Sequence, residues 1–124
     1  MIWLYFAALL AAGIGAAHSL LGERFVLQRI ERLENLPRLI LRKRELMAEV
    51  LQFAWHITTV AWVGFAALLV LMAHGRLSNA SAGLVISATF LLSSLIALVA
   101  SRGKHYAWIV FLLIGLCSLH PAMG

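Results

Sequence analysis

Apolar residues fall into four long runs separated by three polar breaks. The first run, 2–21, is twenty residues without Asp, Glu, Lys or Arg. At 1.5 Å rise per residue such a helix crosses roughly 30 Å of hydrocarbon. The runs at 50–73, 82–100 and 105–119 read the same way, and the breaks are 22–49, 74–81 and 101–104. The pattern predicts an all-α integral membrane fold: one domain over 1–124, a four-transmembrane-helix up-down bundle. Short connections between the later runs favour antiparallel neighbours. Residues 11–17 resemble the small-residue cleavage region of a secretory signal. No basic residue precedes the apolar stretch, so a retained helix is expected.

The break at 22–49 has its own periodicity. Phe25, Val26, Ile30, Leu33, Leu36 and Ile40 fall largely three or four apart among alternating Arg and Glu. That spacing predicts an amphipathic helix lying in the head-group plane. Pro37 should break it and leave a second piece that runs into the next span. By contrast, 74–81 is a short polar turn. Its Asn79-Ala80-Ser81 matches a glycosylation acceptor, a weak signal that a plain loop explains as well. Ser87, Ser94 and Ser101 recur every seven residues. This puts them on one helical face, where small polar residues permit close approach and interhelical hydrogen bonds.

Composition supports the membrane reading. The chain is 63% hydrophobic and 12% charged, against about 25% charged in soluble domains. A chain of this size buries a modest fraction of its surface in its own core, so the remaining apolar area must meet lipid. The net charge of +5 does not indicate nucleic acid, because of where it lies. All five acidic residues and seven of the ten basic ones fall in 22–49. Together with Arg102 and Lys104, the connectors at 22–49 and 101–104 hold nine basic residues, while 74–81 holds Arg76 alone. The positive-inside rule puts those two connectors in the cytoplasm, near anionic lipids, and both termini outside, as in a bacterial inner membrane. Cys117 is the single cysteine and sits in an apolar run, which excludes an internal disulfide.

That topology sets the depth of the histidines. His18 lies four residues before the first connector, roughly 6 Å in, and His56 roughly 9 Å into the second run. His105 follows Lys104 at the surface of the same leaflet. His74 and His120 fall at the opposite face. Ionisable side chains inside a bilayer are costly and point to function. Glu49, Gln52 and His56 share one helical stripe, continued by Thr59 and Val63, and Glu23 lies about a turn beyond His18. His18, His56 and His105 with Glu49 offer three imidazoles and a carboxylate, a set suited to iron, zinc or copper, with Glu23 and Gln52 as outer partners.

Haem b is the alternative cofactor, with His18 and His56 as axial ligands from two helices. The small residues at 11–17 would make room for the porphyrin, and Trp55, Trp62 and Tyr106 would line it. Plain close helix packing explains the same small residues. Trp3, Tyr5, Trp55, Tyr106 and Trp108 lie near run ends and read as an interfacial aromatic belt. The chain contains no HExxH, CxxCH, CxxC, phosphate-binding glycine loop or nucleophile elbow.

Three functions follow from these residues. The first is a small membrane protein that binds a metal ion or haem through cytoplasmic-side histidines, acting in membrane redox chemistry. The second is a non-catalytic accessory or assembly protein whose histidines are structural and which joins a homo-oligomer or larger membrane complex. The third is a transporter or channel subunit, disfavoured because no carboxylate lies deep in any run.

Overall fold

The computed structural model describes residues 2–22, 24 and 38–120, and the described chain contains helices and turns but no strand. Four helices follow one another: α1 (Ile2–Leu21), α2 (Arg38–Ala73), α3 (Asn79–Ala100) and α4 (Ala107–Cys117). Three stretches are long and apolar enough to cross a membrane, namely Ile2–Leu21, Val50–Ala73 and Asn79–Ala100. The amphipathic reading of the first connector falls mostly on residues 25–37, outside the described residues.

α2 begins one residue after Pro37 and runs unbroken for 36 residues, about 54 Å at helical rise. The second piece of the connector therefore does run into the span, as the sequence predicts. α4 is shorter than its apolar run. Its 11 residues cover roughly 16 Å, about half of the hydrocarbon thickness. Its ends tighten into three-residue turns, with Ile109 N donating to Tyr106 O (3.1 Å) and Leu119 N to Leu116 O (3.2 Å).

The turns are built from specific chemistry. Gly75, at φ 64, ends α2. There Arg76 N donates to Leu71 O (2.9 Å) and Gly75 N to Met72 O (3.0 Å), the paired bonds of a Schellman cap. A capping box opens α3: Ser81 N donates to Ser78 Oγ (3.1 Å), and Ser78 N donates to Ser81 Oγ (2.8 Å). Asn79-Ala80-Ser81 thus starts a helix and is not the open loop its polarity suggests. The same Schellman pairing ends α3, with Gly103 N on Leu98 O (2.9 Å) and Arg102 N on Val99 O (3.2 Å). Here the left-handed position is held by Arg102 at φ 51, followed by Gly103 at φ 75.

Among the described residues the helices pack chiefly in chain order, α1 on α2, α2 on α3 and α3 on α4. α1 runs antiparallel to α2, with Tyr5 at His74 and His18 at Trp55, and α4 runs antiparallel to α3, with Ser94 at Trp108 and Leu91 at Gly115. Tyr5 meets His74 across α1 and α2, and Phe90 meets Phe111 across α3 and α4. The interior is small and partly polar: its buried apolar residues are Ala8, Phe53, Ala66, Ala73 and Ala97, joined by Ser87, Ser93, Ser94 and Ser101. Large apolar side chains point outward, among them Trp3, Leu9 and Leu20. Small residues at helix seams with large apolar ones outside suit a fold solvated by hydrocarbon, where apolar burial gives little drive to association.

Two seams repeat every seven residues. On α1, Ala8 and Gly15 are buried, and buried Gly22 follows at the helix end. A Cβ added at Gly15 would lie 2.9 Å from the Trp62 Cβ, so α1 and α2 approach closely there. On α3, the serines expected to share a face are all buried, Ser87 at 1% exposure. The Ser94 hydroxyl donates across the seam to Trp108 O (2.7 Å), and Ser101 donates to Ala97 O (2.6 Å). The Ser87 hydroxyl has no hydrogen-bond partner among the described residues. Ser87→Ala removes an uncompensated polar group without changing the helix approach. We expect it to raise stability by about 1 kcal/mol, while Ser94→Ala lowers it by a similar amount. Thermal unfolding of both variants in detergent, followed by circular dichroism, checks the opposite signs.

Candidate functional site

His18 and His56 both make contacts where the end of α1 meets the middle of α2. The seven-residue seam of α1 brings Gly22 against α2, and Gly22 has no side chain to hold the helices apart. Trp55 fills that space: a Cβ on Gly22 would fall inside its indole. The His18 imidazole stacks on the same indole, with ring centroids 4.3 Å apart and planes 4° from parallel. The indole Nε1 donates to the His18 carbonyl oxygen at 2.7 Å. This bond joins the last turn of α1 to α2.

His56 meets the neighbouring residue of α1. Its Nδ1 and Ser19 Oγ lie 3.2 Å apart, in hydrogen-bond contact. Residues 18 and 19 of one helix therefore meet residues 55 and 56 of the other in a single layer. Thr59 continues the stripe and turns its hydroxyl back to Trp55 O at 3.4 Å. Gln52, one turn before His56, is half-buried. The backbone of α2 carries Glu49 seven residues before His56, on the same helical stripe. Glu23 lies outside the described residues.

His105 goes elsewhere. Its ring meets Phe53 edge-on, with centroids 5.3 Å apart and planes at 60°. Successive residues of an α-helix are about 100° apart around the axis. Phe53 and Trp55 therefore look out on nearly opposite sides of α2. The shared depth of His18, His56 and His105 does not gather them: among the described residues, no three His, Cys, Asp or Glu side chains form a group able to hold a metal ion.

At the other end of the α1–α2 pair, His74 Nδ1 lies 2.9 Å from Val70 O. A carbonyl only accepts, so Nδ1 carries the proton there. His74 Nε2 then accepts from the Tyr5 hydroxyl at 3.1 Å. His120 and Cys117 are exposed. Trp3 and Tyr106 are exposed, at 79% and 76%.

Ser19, Gly22 and the packing role of Trp55 are absent from the sequence reading. Trp55 reads as a belt residue because it stands near the start of an apolar run. The available signal was the register: Ala8, Gly15 and Gly22 repeat at seven, as the serines of α3 do. No protein-family model, curated protein or solved structure matches the chain.

Proposed function

We propose that the chain is a small integral membrane accessory protein whose histidines join helices. The observation that carries this reading is that each of His18, His56, His74 and His105 is already engaged with a side chain of another element. In hydrocarbon, such polar and aromatic contacts take over the role that apolar burial has in water. The cytoplasmic connectors at 22–49 and 101–104 place both termini outside, in a bacterial inner membrane. Residues 105–119 complete a fourth crossing, giving an up-down arrangement. The basic connector at 22–49 meets the anionic lipids of the cytoplasmic leaflet. The chain joins a homo-oligomer or a larger membrane complex.

The layer formed by residues 18, 19, 55 and 56 also favours a second reading. One crossing brings His18 and His56 to the same level on adjacent helices, the arrangement that a haem b or a single iron, zinc or copper ion would use. Glu49 would then be a further ligand candidate, with Gln52 and Glu23 outside it, in membrane redox chemistry; His105, which meets Phe53 on the other side of α2, would stay outside that centre.

Elemental analysis and an absorption spectrum of the purified full chain separate the two. The accessory reading expects a colourless, metal-free protein. It also expects His18→Ala and His56→Ala each to lower thermal stability by about 1 kcal/mol, the scale of an interhelical polar contact in a membrane. A Soret band or one equivalent of metal, lost in both variants, would establish the second reading. The accessory reading further expects crosslinking in native membranes to capture a defined partner, and its absence at high crosslinking yield would count against that reading.

A further inference from the structure

The end of α4 carries two metal-ligating side chains that the fold leaves outside. Gly115 packs on Leu91: a Cβ added there would lie 2.8 Å from the Leu91 side chain and 3.2 Å from its backbone nitrogen. α3 runs from Asn79 to Ala100, so this contact falls near its middle. At helical rise, Cys117 then stands level with about residue 89 and His120 with about residue 86, roughly 10 Å short of Asn79. The sequence alone places His120 at the outer surface, and the α3–α4 register draws it deeper.

Ser118 N donates to Ile114 O (3.0 Å) and Leu119 N to Leu116 O (3.2 Å), so helical winding carries past Cys117. Residues three apart then share a face. Cys117 and His120 are both exposed, on the side of α4 turned away from Gly115 and α3. Among the described residues neither has a hydrogen-bond partner. The four other histidines each join two elements, and His120 is the exception. An ionisable side chain left without a partner in a membrane protein is costly and points to a ligand.

The donors select that ligand. A thiolate beside an imidazole suits zinc or copper. Structural zinc takes four protein ligands, and no group of three His, Cys, Asp or Glu exists among the described residues. In the sequence Met123 follows His120 at the same spacing of three, adding a thioether, and soft sulfur donors favour copper(I). No acidic residue occurs after Glu49 to offer the oxygen ligands of magnesium, calcium or manganese.

We infer that Cys117 and His120 form a binding site for a copper(I) ion at the end of α4. The ion displaces the thiol proton, so bonds form to Cys117 Sγ and to an imidazole nitrogen while one proton leaves to solvent. No electron is transferred. The site lies toward the turn between α2 and α3, away from the layer of His18 and His56, and it rests on neither reading of that layer.

The test is anaerobic titration of the full chain, purified metal-free with a chelator, using copper(I) in competition with bicinchoninate. The expected result is one copper(I) per chain held against the chelator and not displaced by an equal concentration of zinc. Cys117→Ser should abolish retention. His120→Gln should weaken it about tenfold or more, the scale on which disturbed metal sites lose affinity. Both side chains are exposed, and circular dichroism checks that the helices persist. His74→Gln, a change at another outer histidine, should leave retention as it was. Retention should fall on acidification, because protons compete for both donors. Copper(I) held equally by Cys117→Ser, or displaced by zinc, would overturn the site. So would half an ion per chain in a copper-bridged dimer, or no retention by the folded, unaltered chain. Copper lost on His18→Ala and kept in Cys117→Ser would belong to the α1–α2 layer and would likewise overturn it.

Discussion

Trp55→Ala is expected to lower unfolding stability by about 3 kcal/mol, at the low end for removing a Trp because the side chain is half-buried and lipid can enter part of the space left behind. Three contacts disappear at once. The stack on His18 is one, worth about 0.5–1.5 kcal/mol as an aromatic pair. The indole bond to the His18 carbonyl is another, worth about 1 kcal/mol between membrane helices. Packing on Gly22 is the third. Trp55→Phe keeps most of the packing and removes the donor, so it should cost about 1 kcal/mol. Unfolding of both variants by denaturing detergent, read by circular dichroism, gives the two values. If the phenylalanine variant were as damaged as the alanine one, the hydrogen bond, and not the indole's bulk, would dominate the crossing.

Gly22→Ala tests the same layer from the opposite helix. The added methyl falls within the Trp55 indole, which the stack and the hydrogen bond hold from two sides. The indole cannot rotate away without losing both, so α1 must move from α2 or Trp55 must leave its position. Overpacking of this kind costs about 1–3 kcal/mol, and we expect about 2. The natural comparison is Gly13→Ala, one helix face away, where a Cβ would meet nothing within 4 Å. That change should be neutral or slightly stabilising, because Ala is the better helix former by up to about 1 kcal/mol. Equal effects at residues 13 and 22 would argue against the close approach at the end of α1.

Much of the architecture is legible in the chain because bilayer thickness imposes a length. Twenty uncharged residues at 2–21 have one economical disposition, and the boundary of α2 follows from Pro37. The serine repeat at 87, 94 and 101 likewise identifies a buried face, since seven residues make two turns. The site is less legible. Depth in a membrane is one coordinate, and the sequence supplies it well enough to bring residues 18 and 56 to one level. Rotation about the helix axis and the order of packing supply the other two coordinates. They send His105 to Phe53 and His18 to Trp55, on different sides of α2. The length of α4 is also hidden, because an apolar run such as 105–119 does not specify how much of it winds as α-helix and how much as tight turn.

Because the described helices pack chiefly on their immediate predecessors, their contacts follow in series like the panels of a folding screen. A disturbance introduced at Ser87 must pass through two panels before it reaches Gly22. Substitutions at the two seams should then combine additively, within about 0.5 kcal/mol for sites that share no neighbour. A ligand or partner held at one outer panel could accordingly loosen or tighten that panel while leaving the far hinge as it was.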